Sequence, residues 1–400
     1  MKMRYYFLLL LLFISGFKSG YSQDSSPVLQ PLPAKFNDPL LGENVFVFDP
    51  GMDMNEIQVV LDTIFARQSA RRSEFTTNRY ALLFKPGNYN LDVKVGYYMQ
   101  ILGLGESPED VVITGAVRSN TRGKSVLVNF WRGVENLTIV PTTADTTVIW
   151  GVSQAAPMRR VYIKGNMNLF DIGYASGGFL ADSKIDGRVA SGPQQQWFTR
   201  NTKWGKWTGG NWNMMFMGVI NAPEQNFPEN PYTTIETVPL VREKPFLTVS
   251  GKGFVVKMPQ LKVNSSGPGW TDNISDEAVL RLKKFYIAKP GVDNASTINS
   301  ALKKGKNLLF TPGIYSLGEP IKVTRENTVI IGLGMPSLVP LNGNAVMEIS
   351  DVDGVTVSGI LLDAGLKRSE VLLQAGEPGS SKSHEANPSF LFDVFVRIGG

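Results

Sequence analysis

The feature that most constrains the fold is an internal repeat, in which four blocks recur in the same order in two parts of the chain. The blocks are a Pro-Gly-x-Asp tetrapeptide, a helical pattern of apolar residues, a Leu-Leu-Phe-x-Pro-Gly-x-Tyr octapeptide and a Gly-Leu-Gly turn. They begin at residues 50, 57, 82 and 103 in the first part and at residues 290, 298, 308 and 332 in the second. Four blocks in one order are hard to obtain by chance. The chain therefore contains two copies of one architecture, which start near residues 44 and 284.

Each copy opens with a helical pattern and continues as a ladder of short strands. The predicted helices run from residue 55 to 68 and from residue 295 to 304, with Asp53 and Asp293 close to their N-caps. The β-branched runs that follow recur about every 20 to 25 residues and are separated by glycine and asparagine. This spacing is typical of a parallel β-helix, in which each coil lays a strand onto the previous one. The opening helix would cover the exposed strand edge at the end of the rod.

The sequence therefore predicts an all-β fold, a right-handed parallel β-helix in two tandem copies, each opened by a capping α-helix. We expect the first β-helix domain at residues 44–264, a linker at 265–283 and the second domain at 284–400. Residues 391–400 still resemble a strand, and a β-helix that ends on a strand leaves an open edge. We therefore expect the second domain to be incomplete.

The first 22 residues resemble a cleaved signal peptide and are excluded from the predicted fold. Lys2 and Arg4 precede a short apolar run at residues 7–17, and small residues lead to the expected cleavage point near Gln23. The apolar run is shorter than the roughly 20 residues that a transmembrane helix needs. We expect a secreted or periplasmic protein with no membrane-inserted segment after cleavage.

Composition excludes several kinds of chemistry. The chain has no cysteine, which excludes disulfides, thiolate metal sites and a cysteine nucleophile. The one histidine, His384, cannot form a multi-histidine zinc centre, and in its polar surroundings we expect it to be solvated. The formal net charge is +5, of which the predicted signal peptide contributes three, and the remaining +2 is too balanced for a nucleic-acid binder. We predict no cofactor and no metal, and we expect a monomer.

Several of these motifs resemble a known superfamily. The Pro-Gly-x-Asp helix start, the Pro-Gly-x-Tyr strand exit and the Gly-Leu-Gly turn resemble the pectin-lyase-like superfamily, and the two-copy layout is similar to that of the laminarinase-type exo-β-1,3-glucanases. Residues 44–260 also resemble a group of bacterial secreted β-helix proteins often labelled adenylyl cyclases, through blocks at 80–87, 191–197 and 241–246. We consider the cyclase label a mislabelling, because the sequence shows no phosphate cradle, metal–carboxylate pair or basic pocket.

The segment from residue 182 to 219 concentrates aromatic and amide side chains, including four of the seven tryptophans. In one interpretation the indoles form a platform on which sugar rings stack, while the amides and Arg200 bind hydroxyl groups. In the other, a long loop folds over a coil and buries the rings. Amides beside aromatic rings favour a neutral polysaccharide. The candidate substrate-binding residues are Gln194, Gln195, Gln196, Trp197, Arg200, Asn201, Trp204, Trp207, Asn211, Trp212 and Asn213.

Glycoside hydrolysis needs two carboxyl groups, about 5 to 5.5 Å apart for retention of configuration or about 6.5 to 9.5 Å for inversion. If residues 181–186 form one strand with Ile185 inward, Asp182 and Asp186 lie on the outer face beside the aromatic segment. They are our candidate catalytic residues, although about 13 Å would separate their Cα atoms along one strand. Asp171 on an adjacent coil would be a closer partner for Asp182. The alternative is that these outer aspartates are solvated or bond to turn amides.

Three functions fit this chain. By resemblance to the tandem β-helix glucanases, we expect a glycoside hydrolase that acts on a neutral polysaccharide such as β-1,3-glucan, with its cleft between the two rods. A polysaccharide lyase would need a base and a group that neutralises a uronate, and no residue cluster here supports one. A non-catalytic polysaccharide-binding or surface protein would use the tryptophan segment alone. The resemblance places the catalytic acid in the second rod, so we expect the 400-residue chain to be inactive or nearly so.

Overall fold

The computed structural model describes residues 32–398 except residues 71, 121–124, 252 and 272–276. The predicted signal peptide lies outside these residues. Within them the chain is built of short β-strands and contains two α-helices, so the fold is all-β. No helix in this part of the chain is long and apolar enough to span a bilayer.

The first part of the described chain forms one large sheet that winds around a core. Its sixteen described strands are β1 (Asn37–Asp38), β2 (Gly42–Phe48), β3 (Tyr80–Phe84), β4 (Gly87–Lys94), β5 (Met99–Gly103), β6 (Val111–Arg118), β7 (Arg132–Pro141), β8 (Thr147–Ile149), β9 (Pro157–Ile163), β10 (Asn166–Asn168), β11 (Phe179–Ala181), β12 (Lys184–Ala190), β13 (Gln196–Arg200), β14 (Lys203–Thr208), β15 (Asn213–Met217) and β16 (Tyr232–Ile235). Apart from the antiparallel β1–β2 pair, the described strand pairs of this sheet are parallel. This stacking is consistent with a β-helix-like fold.

One row of inward residues shows how the coils stack. Leu82 of β3 lies beside Ile101 of β5, which lies beside Val134 of β7. The row continues to Met158 of β9 and Leu180 of β11. All five side chains are buried. Because the same position of each coil points inward, residues that are distant in sequence form one continuous apolar core.

A group of antiparallel strands follows the parallel sheet. These strands are β17 (Val238–Arg242), β18 (Phe246–Ser250), β19 (Gly253–Met258), β20 (Leu261–Ser265) and β21 (Ala278–Arg281). β17 pairs with β20, and β19 pairs with both β18 and β21. The parallel pairing of the first sheet therefore ends at Ile235. Strand-forming runs look alike in parallel and antiparallel sheets, which is why the sequence did not reveal this change.

From residue 285 onward the strands form three smaller parallel sheets. The strands are β22 (Phe285–Ala288), β23 (Asn307–Phe310), β24 (Ile314–Leu317), β25 (Ile321–Val323), β26 (Val329–Gly332), β27 (Ser337–Pro340), β28 (Met347–Ile349), β29 (Thr356–Ser358), β30 (Leu361–Asp363), β31 (Leu373–Ala375), β32 (Phe390–Phe392) and β33 (Phe395–Arg397). They pair in the orders β22-β23-β26-β29-β32, β24-β27-β30-β33 and β25-β28-β31. From β23 onward every third strand joins the same sheet, which is consistent with a coil of three strands.

Both α-helices lie where the sequence predicts them. α1 spans Met54–Gln68, and the Asp53 carboxylate caps it by accepting hydrogen bonds from two N–H groups of the first turn. α2 spans Ala295–Lys303, and its N-cap is Asn294, the residue that follows Asp293. Single-turn 3₁₀ helices lie at Ala34–Phe36, Ser73–Phe75, Pro108–Asp110 and Leu282–Lys284.

The parts of the chain share an apolar interface. Leu83 and Leu102 of the first sheet, Leu247 of the antiparallel segment, and Leu309 and Ile331 of the β22 sheet are buried in one cluster. Apolar burial is the main favourable contribution to folding. This cluster therefore holds the two parallel stacks and the antiparallel segment together.

Candidate functional site

A cleft opens between the first sheet and the last described strands. Its volume is about 770 Å³, within the range that is common for ligand sites. Arg159 of β9 and Phe179 of β11 lie on one wall, and Leu362, Glu370 and Asp393 lie on the other. The remaining lining is mostly apolar. A concave site of this composition can hold a ligand with a carbon skeleton and a few polar groups.

Arg159 and Asp393 of the cleft belong to a buried ionic network that extends beyond the cleft to Lys244 and Glu135. The Arg159 Nη2 atom is 2.7 Å from Asp393 Oδ1, and the Lys244 Nζ atom is 3.2 Å from Asp393 Oδ2 and 2.6 Å from Glu135 Oε2. Burial would raise the pKa of Asp393, but Arg159 and Lys244 hold it at about 2. The Asp393 carboxylate is therefore ionised and paired, and it is not available as a general acid.

Arg200 and Asn201 belong to a second buried network beside the first. Arg200 Nη2 donates to Glu243 Oε2 at 2.5 Å, and Asn201 Nδ2 donates to Glu243 Oε1 at 2.9 Å. Burial lowers the pKa of Arg200, and the charge of Glu243 opposes that shift. The prediction that Arg200 and Asn201 bind sugar hydroxyl groups is wrong, because both side chains are buried and each donates a hydrogen bond to Glu243.

Three of the four tryptophans in the aromatic segment lie in the core. Trp197, Trp204 and Trp207 are buried, and the last two contact Phe216 at ring-centroid distances of 5.6 and 4.9 Å. Each of the three indole N–H groups donates to a protein oxygen at 2.7 to 3.1 Å. Buried rings cannot stack on a sugar, so the predicted platform is wrong for these three.

The strand register explains this burial. Trp204 and Trp207 of β14 lie beside Ile185 and Val189 of β12, whose side chains are also buried. The rings therefore continue two apolar rows of the coil. Trp212 lies just before β15, outside these rows, and is 64% exposed. Within the segment, Trp212 is the tryptophan that a ligand could contact.

The predicted amide contacts divide in the same way. Gln194 is buried, and its Nε2 atom donates to two backbone oxygens of earlier coils, so its predicted role in binding substrate is wrong. Asn211 is exposed, but its Nδ2 atom also donates to two backbone oxygens. Gln195 is partly exposed, and Gln196 and Asn213 are exposed register partners on β13 and β15. The last two amides form a polar patch next to the exposed indole.

Asp182 lies at a buried corner and not on an outer strand face. β11 ends immediately before it, its φ is 49°, and β12 begins two residues later. The predicted continuous strand over residues 181–186 is therefore wrong. The Asp182 carboxylate accepts a hydrogen bond from Gly269 N at 2.5 Å and lies 3.4 Å from Arg160 Nη1. Burial, followed by the charge of Glu243, raises its pKa to about 7.

A pKa near 7 would suit a general acid, but no substrate can reach Asp182. The residue is 1% exposed. Gly269 covers its carboxylate, and the Trp270 indole N–H donates to its carbonyl oxygen at 2.7 Å. The predicted catalytic role of Asp182 is therefore wrong, and the residue instead anchors the segment around Trp270 to the first sheet.

Asp186 lies on the outer surface, as predicted. Its Oδ2 atom accepts a hydrogen bond from the Tyr162 hydroxyl at 2.9 Å, and its Oδ1 atom lies 3.8 Å from Lys184 Nζ. It does not line the cleft. Asp171, the expected closer partner of Asp182, instead accepts a hydrogen bond from Asn120. The structure does not bring the predicted carboxylates together as a catalytic pair.

His384 is held by two aspartates and is not simply solvated. Its Nε2 atom is 2.7 Å from Asp351 Oδ1, and its Nδ1 atom bonds to Asp353. The bond to Asp353, followed by the bond to Asp351, raises the pKa of His384. Among the described residues, no cluster of histidine, aspartate and glutamate has the geometry to hold a metal ion.

Sequence reasoning missed the residues of the ionic network beside the cleft. The contact between Lys244 and Glu135 joins positions 109 apart, and the contact between Arg159 and Asp393 joins positions 234 apart. One signal was present in the block at residues 241–246. There, three consecutive charged residues, Arg242, Glu243 and Lys244, lie between Val241 and Pro245-Phe246, a pattern that can indicate buried ionic contacts.

The fold and the cleft define an all-β, β-helix-like protein with a ligand-sized site between two stacks of strands. Residues 285–400 match a family model described as the LAM55 pectate lyase-like domain. The chain is 47% identical over 365 residues to an exo-β-1,3-glucanase from Streptomyces sp. (strain SirexAA-E / ActE), a match that covers 90% of this chain and 59% of that protein. The chain thus spans 59% of the length of the curated relative it matches.

Solved structures give the same relationship. The structure matches that of sacteLam55A from Streptomyces sp. SirexAA-E with a TM-score of 0.87 and 47% sequence identity, covering 90% of this chain and 65% of that chain. A variant of sacteLam55A in complex with glucose matches with the same TM-score, identity and coverage. The chain is therefore similar in sequence and fold to β-1,3-glucanase-like proteins.

Proposed function

We propose that this protein is a glycoside hydrolase that acts on β-1,3-glucan and binds it in the cleft. The observation that carries the proposal is the 47% identity to an exo-β-1,3-glucanase across 90% of the chain. The TM-score of 0.87 to sacteLam55A supports it. Fold alone does not decide function, so the cleft must supply suitable contacts.

The architecture that goes with this proposal is a pair of tandem right-handed β-helices, opened by α1 and α2 as capping helices. The parallel registers of β2 to β16 and of β22 to β33 support it. The first β-helix would end at Ile235, and residues 238–281 would form an antiparallel connector in place of the shorter linker expected from sequence. We further propose secretion by the signal at residues 1–22 and a monomeric state.

The first sheet offers a surface along which a glucan chain could lie. Phe179 on the cleft wall lies beside Phe198, and this row continues to Met215 and Thr233. The last three are partly exposed, and the patch of Gln196, Trp212 and Asn213 lies on the same strands or immediately before them. Rings that stack and amides that bond to hydroxyl groups suit an uncharged sugar polymer. We assign the glucan contacts to this row and patch.

The described lining of the cleft supplies one exposed carboxyl group. Glu370 is exposed on the wall, whereas Asp393 is held ionised by Arg159 and Lys244. Glycosidases of either stereochemical type use two carboxyl groups, about 5 to 9.5 Å apart. We therefore propose that the described residues bind the glucan without supplying the catalytic pair, so that the 400-residue chain has little or no hydrolytic activity. Asp186 would be the other candidate, on a different surface.

Binding and turnover on the purified 400-residue chain test this proposal. We expect retention on insoluble β-1,3-glucan and little glucose release. Trp212→Ala should weaken binding by about threefold to tenfold, because it removes an exposed stacking ring. Phe75→Ala is the matched control, since Phe75 is an exposed aromatic residue outside the cleft lining and the aromatic segment.

Two results would contradict the proposal. Binding to uronate polymers but not to β-1,3-glucan would exclude the substrate class. Rapid glucose release would contradict the carboxyl assignment, and it would exclude Glu370 and Asp186 as catalysts if it survived Glu370→Gln and Asp186→Asn. A non-catalytic polysaccharide-binding protein is the second candidate, favoured by the single exposed carboxyl group among the described cleft residues. Hydrolysis by the gene product isolated from its host would exclude that candidate.

A further inference from the structure

The outer face of the first sheet carries a strip of cations to which the proposed function gives no role. The strip lies on three strands that stack in the order β9, β12 and β14. Its cations, which we call the basic strip, are Lys164 directly after β9, Lys184 and Arg188 of β12, and Lys203 and Lys206 of β14. None of them lines the cleft, and the row assigned to glucan lies on other strands.

Like charges lie opposite each other twice in the basic strip. Lys184 is the register partner of Lys203, and Arg188 is the register partner of Lys206. Register partners on stacked strands lie about 4.8 Å apart along the backbone, so two cations at such positions repel each other. The buried apolar residues that alternate with them fix this register, and the strands therefore cannot slide to separate the charges.

The described residues supply little negative charge to offset this repulsion. Asp186 is the carboxylate of β12 and β14, and its Oδ1 atom lies 3.8 Å from Lys184 Nζ. Glu109 also attracts Lys184. The remaining cations of the two pairs form no ion pair or hydrogen bond through their side chains within the described part of the chain: Arg188, Lys203 and Lys206. The strip therefore keeps an excess of positive charge on exposed side chains.

Protection of a sheet edge explains only part of this arrangement. Among the described strands β14 pairs with β12 alone, and lysines on an edge strand discourage pairing with other chains. Edge protection accounts for Lys203 and Lys206. It does not account for Lys184 and Arg188, because β12 has paired strands on both sides.

The surface between the cations suits an extended, hydrophilic ligand. Positive charge recurs on three successive strands, which favours repeated negative charges over one small anion. Gly187 and Gly205 lie between the two pairs, and a Cβ on Gly205 would lie 2.8 Å from Gly187 O, so this part of the strip carries no side chain. The fully described strands β12 and β14 expose no apolar or aromatic side chain. A nucleic-acid base would find no stacking ring here, and a bilayer would find no apolar anchor.

We propose that the basic strip binds a linear acidic polysaccharide, one that carries a carboxylate or sulfate group on most of its sugar units. The acidic groups of the polymer lie between the paired cations and replace their mutual repulsion by attraction. A neutral glucan would leave this repulsion in place. The strip and the cleft are separate surfaces, so this inference goes beyond the proposed glucanase function and does not depend on it.

Calorimetric titration of the 400-residue chain tests the ligand class, with polygalacturonate, dextran sulfate, neutral dextran and a DNA duplex as probes. We expect saturable binding of the two acidic polysaccharides. This binding should weaken at least about tenfold as the ionic strength rises from about 0.01 to 0.15 M, because the Debye length falls from about 30 to 8 Å. Equal binding of neutral dextran would overturn the proposal. Binding of DNA as tight as that of polygalacturonate would overturn the assignment to a polysaccharide.

A charge-reversal variant tests the location of the site. Lys203→Glu/Lys206→Glu places carboxylates opposite Lys184 and Arg188. It should weaken polygalacturonate binding at least about tenfold. Because two repulsive pairs become attractive, the urea concentration at the unfolding midpoint should not fall. A lower midpoint would contradict the repulsion on which the proposal rests.

The matched control is Lys303→Glu/Lys304→Glu, which changes the net charge equally at exposed lysines at the end of α2. Unchanged polygalacturonate binding in the strip variant, or an equal loss in the control, would overturn the proposal. Trp212→Ala should leave polygalacturonate binding unchanged, and the strip variant should leave retention on β-1,3-glucan unchanged. Failure of this inference is thereby distinguishable from failure of the proposed function.

Discussion

Asp393→Ala is expected to destabilise the fold by several kcal/mol, because one carboxylate joins three segments. Its Oδ1 atom is 2.7 Å from Arg159 of the first sheet, and its Oδ2 atom is 3.2 Å from Lys244 in the antiparallel segment. After the substitution Lys244 still has Glu135 at 2.6 Å. Arg159 has no other ion pair among the described residues, so its charge would remain buried and unpaired.

The magnitude follows from the burial of this pair. The side chains of Arg159 and Asp393 are 8% and 6% exposed, so water screens their interaction very little. Removal of one partner of a buried ion pair costs about 3 to 5 kcal/mol, since the other charge stays desolvated. The free energy of unfolding of an ordinary folded protein is about 5 to 15 kcal/mol. The substitution should therefore remove a large fraction of the total stability.

Urea unfolding followed by tryptophan fluorescence measures this loss. Asp186→Ala is the control, because it removes an exposed carboxylate 3.8 Å from Lys184 and should cost about 0 to 1 kcal/mol. The double variant Arg159→Met/Asp393→Leu removes both charges and should recover most of the stability. A loss in Asp393→Ala no larger than that of the control would refute the reasoning, since it would mean that water reaches the pair.

Other substitutions separate buried from exposed groups. Trp204→Ala should lower the free energy of unfolding by about 3 to 5 kcal/mol in the same assay, whereas Trp212→Ala should change it by less than about 0.5 kcal/mol. Burial raises the Asp182 pKa from 3.8 to about 7, so between these values the folded chain keeps a proton that the unfolded chain has released. The contribution of Asp182 to stability therefore falls as the pH rises through this range, and the urea concentration at the unfolding midpoint should fall with it. Asp182→Asn should remove this dependence of the midpoint on pH. Bonds to two aspartates raise the His384 pKa, so their stabilisation is fully present below pH 6.5 and is lost as the pH rises through the raised value. Hydrogen exchange of the backbone amides of residues 380–388 should accelerate as the pH rises through the raised pKa of His384. His384→Ala should abolish this change with pH.

The regular parts of the fold could be predicted because their signals are local. The helix that begins after Asp53 is marked by a capping carboxylate and by apolar residues at helical spacing. The coils are marked by short β-branched runs between glycine and asparagine corners. The antiparallel segment after Ile235 has the same kind of runs, and pairing direction depends on contacts that are not local.

The site could be predicted only in part, and one corner accounts for much of the error. Asp182 has a φ of 49°, so the alternation of inward and outward residues restarts after it. A continuous strand through residues 181–186 would place Asp182 on the outer face, whereas in the structure Asp182 is buried. Composition also cannot separate rings such as Trp204, which fill the interior of a coil, from rings such as Trp212 on the surface. The buried pair of Arg159 with Asp393 joins distant positions, and no local pattern reveals it.

One row of the first sheet explains why the cleft opens where it does. Leu83, Leu102, Glu135 and Arg159 occupy the same position on successive strands of the stack. The two leucines pack in the apolar interface, and the next two residues enter the ionic network. Because stacked strands lie about 4.8 Å apart, the interface changes from apolar to ionic within roughly 10 Å. Apolar contacts tolerate small displacements, whereas a displaced buried charge would lose its partner. The ionic positions therefore hold the two walls of the cleft at a defined separation at the edge of the interface.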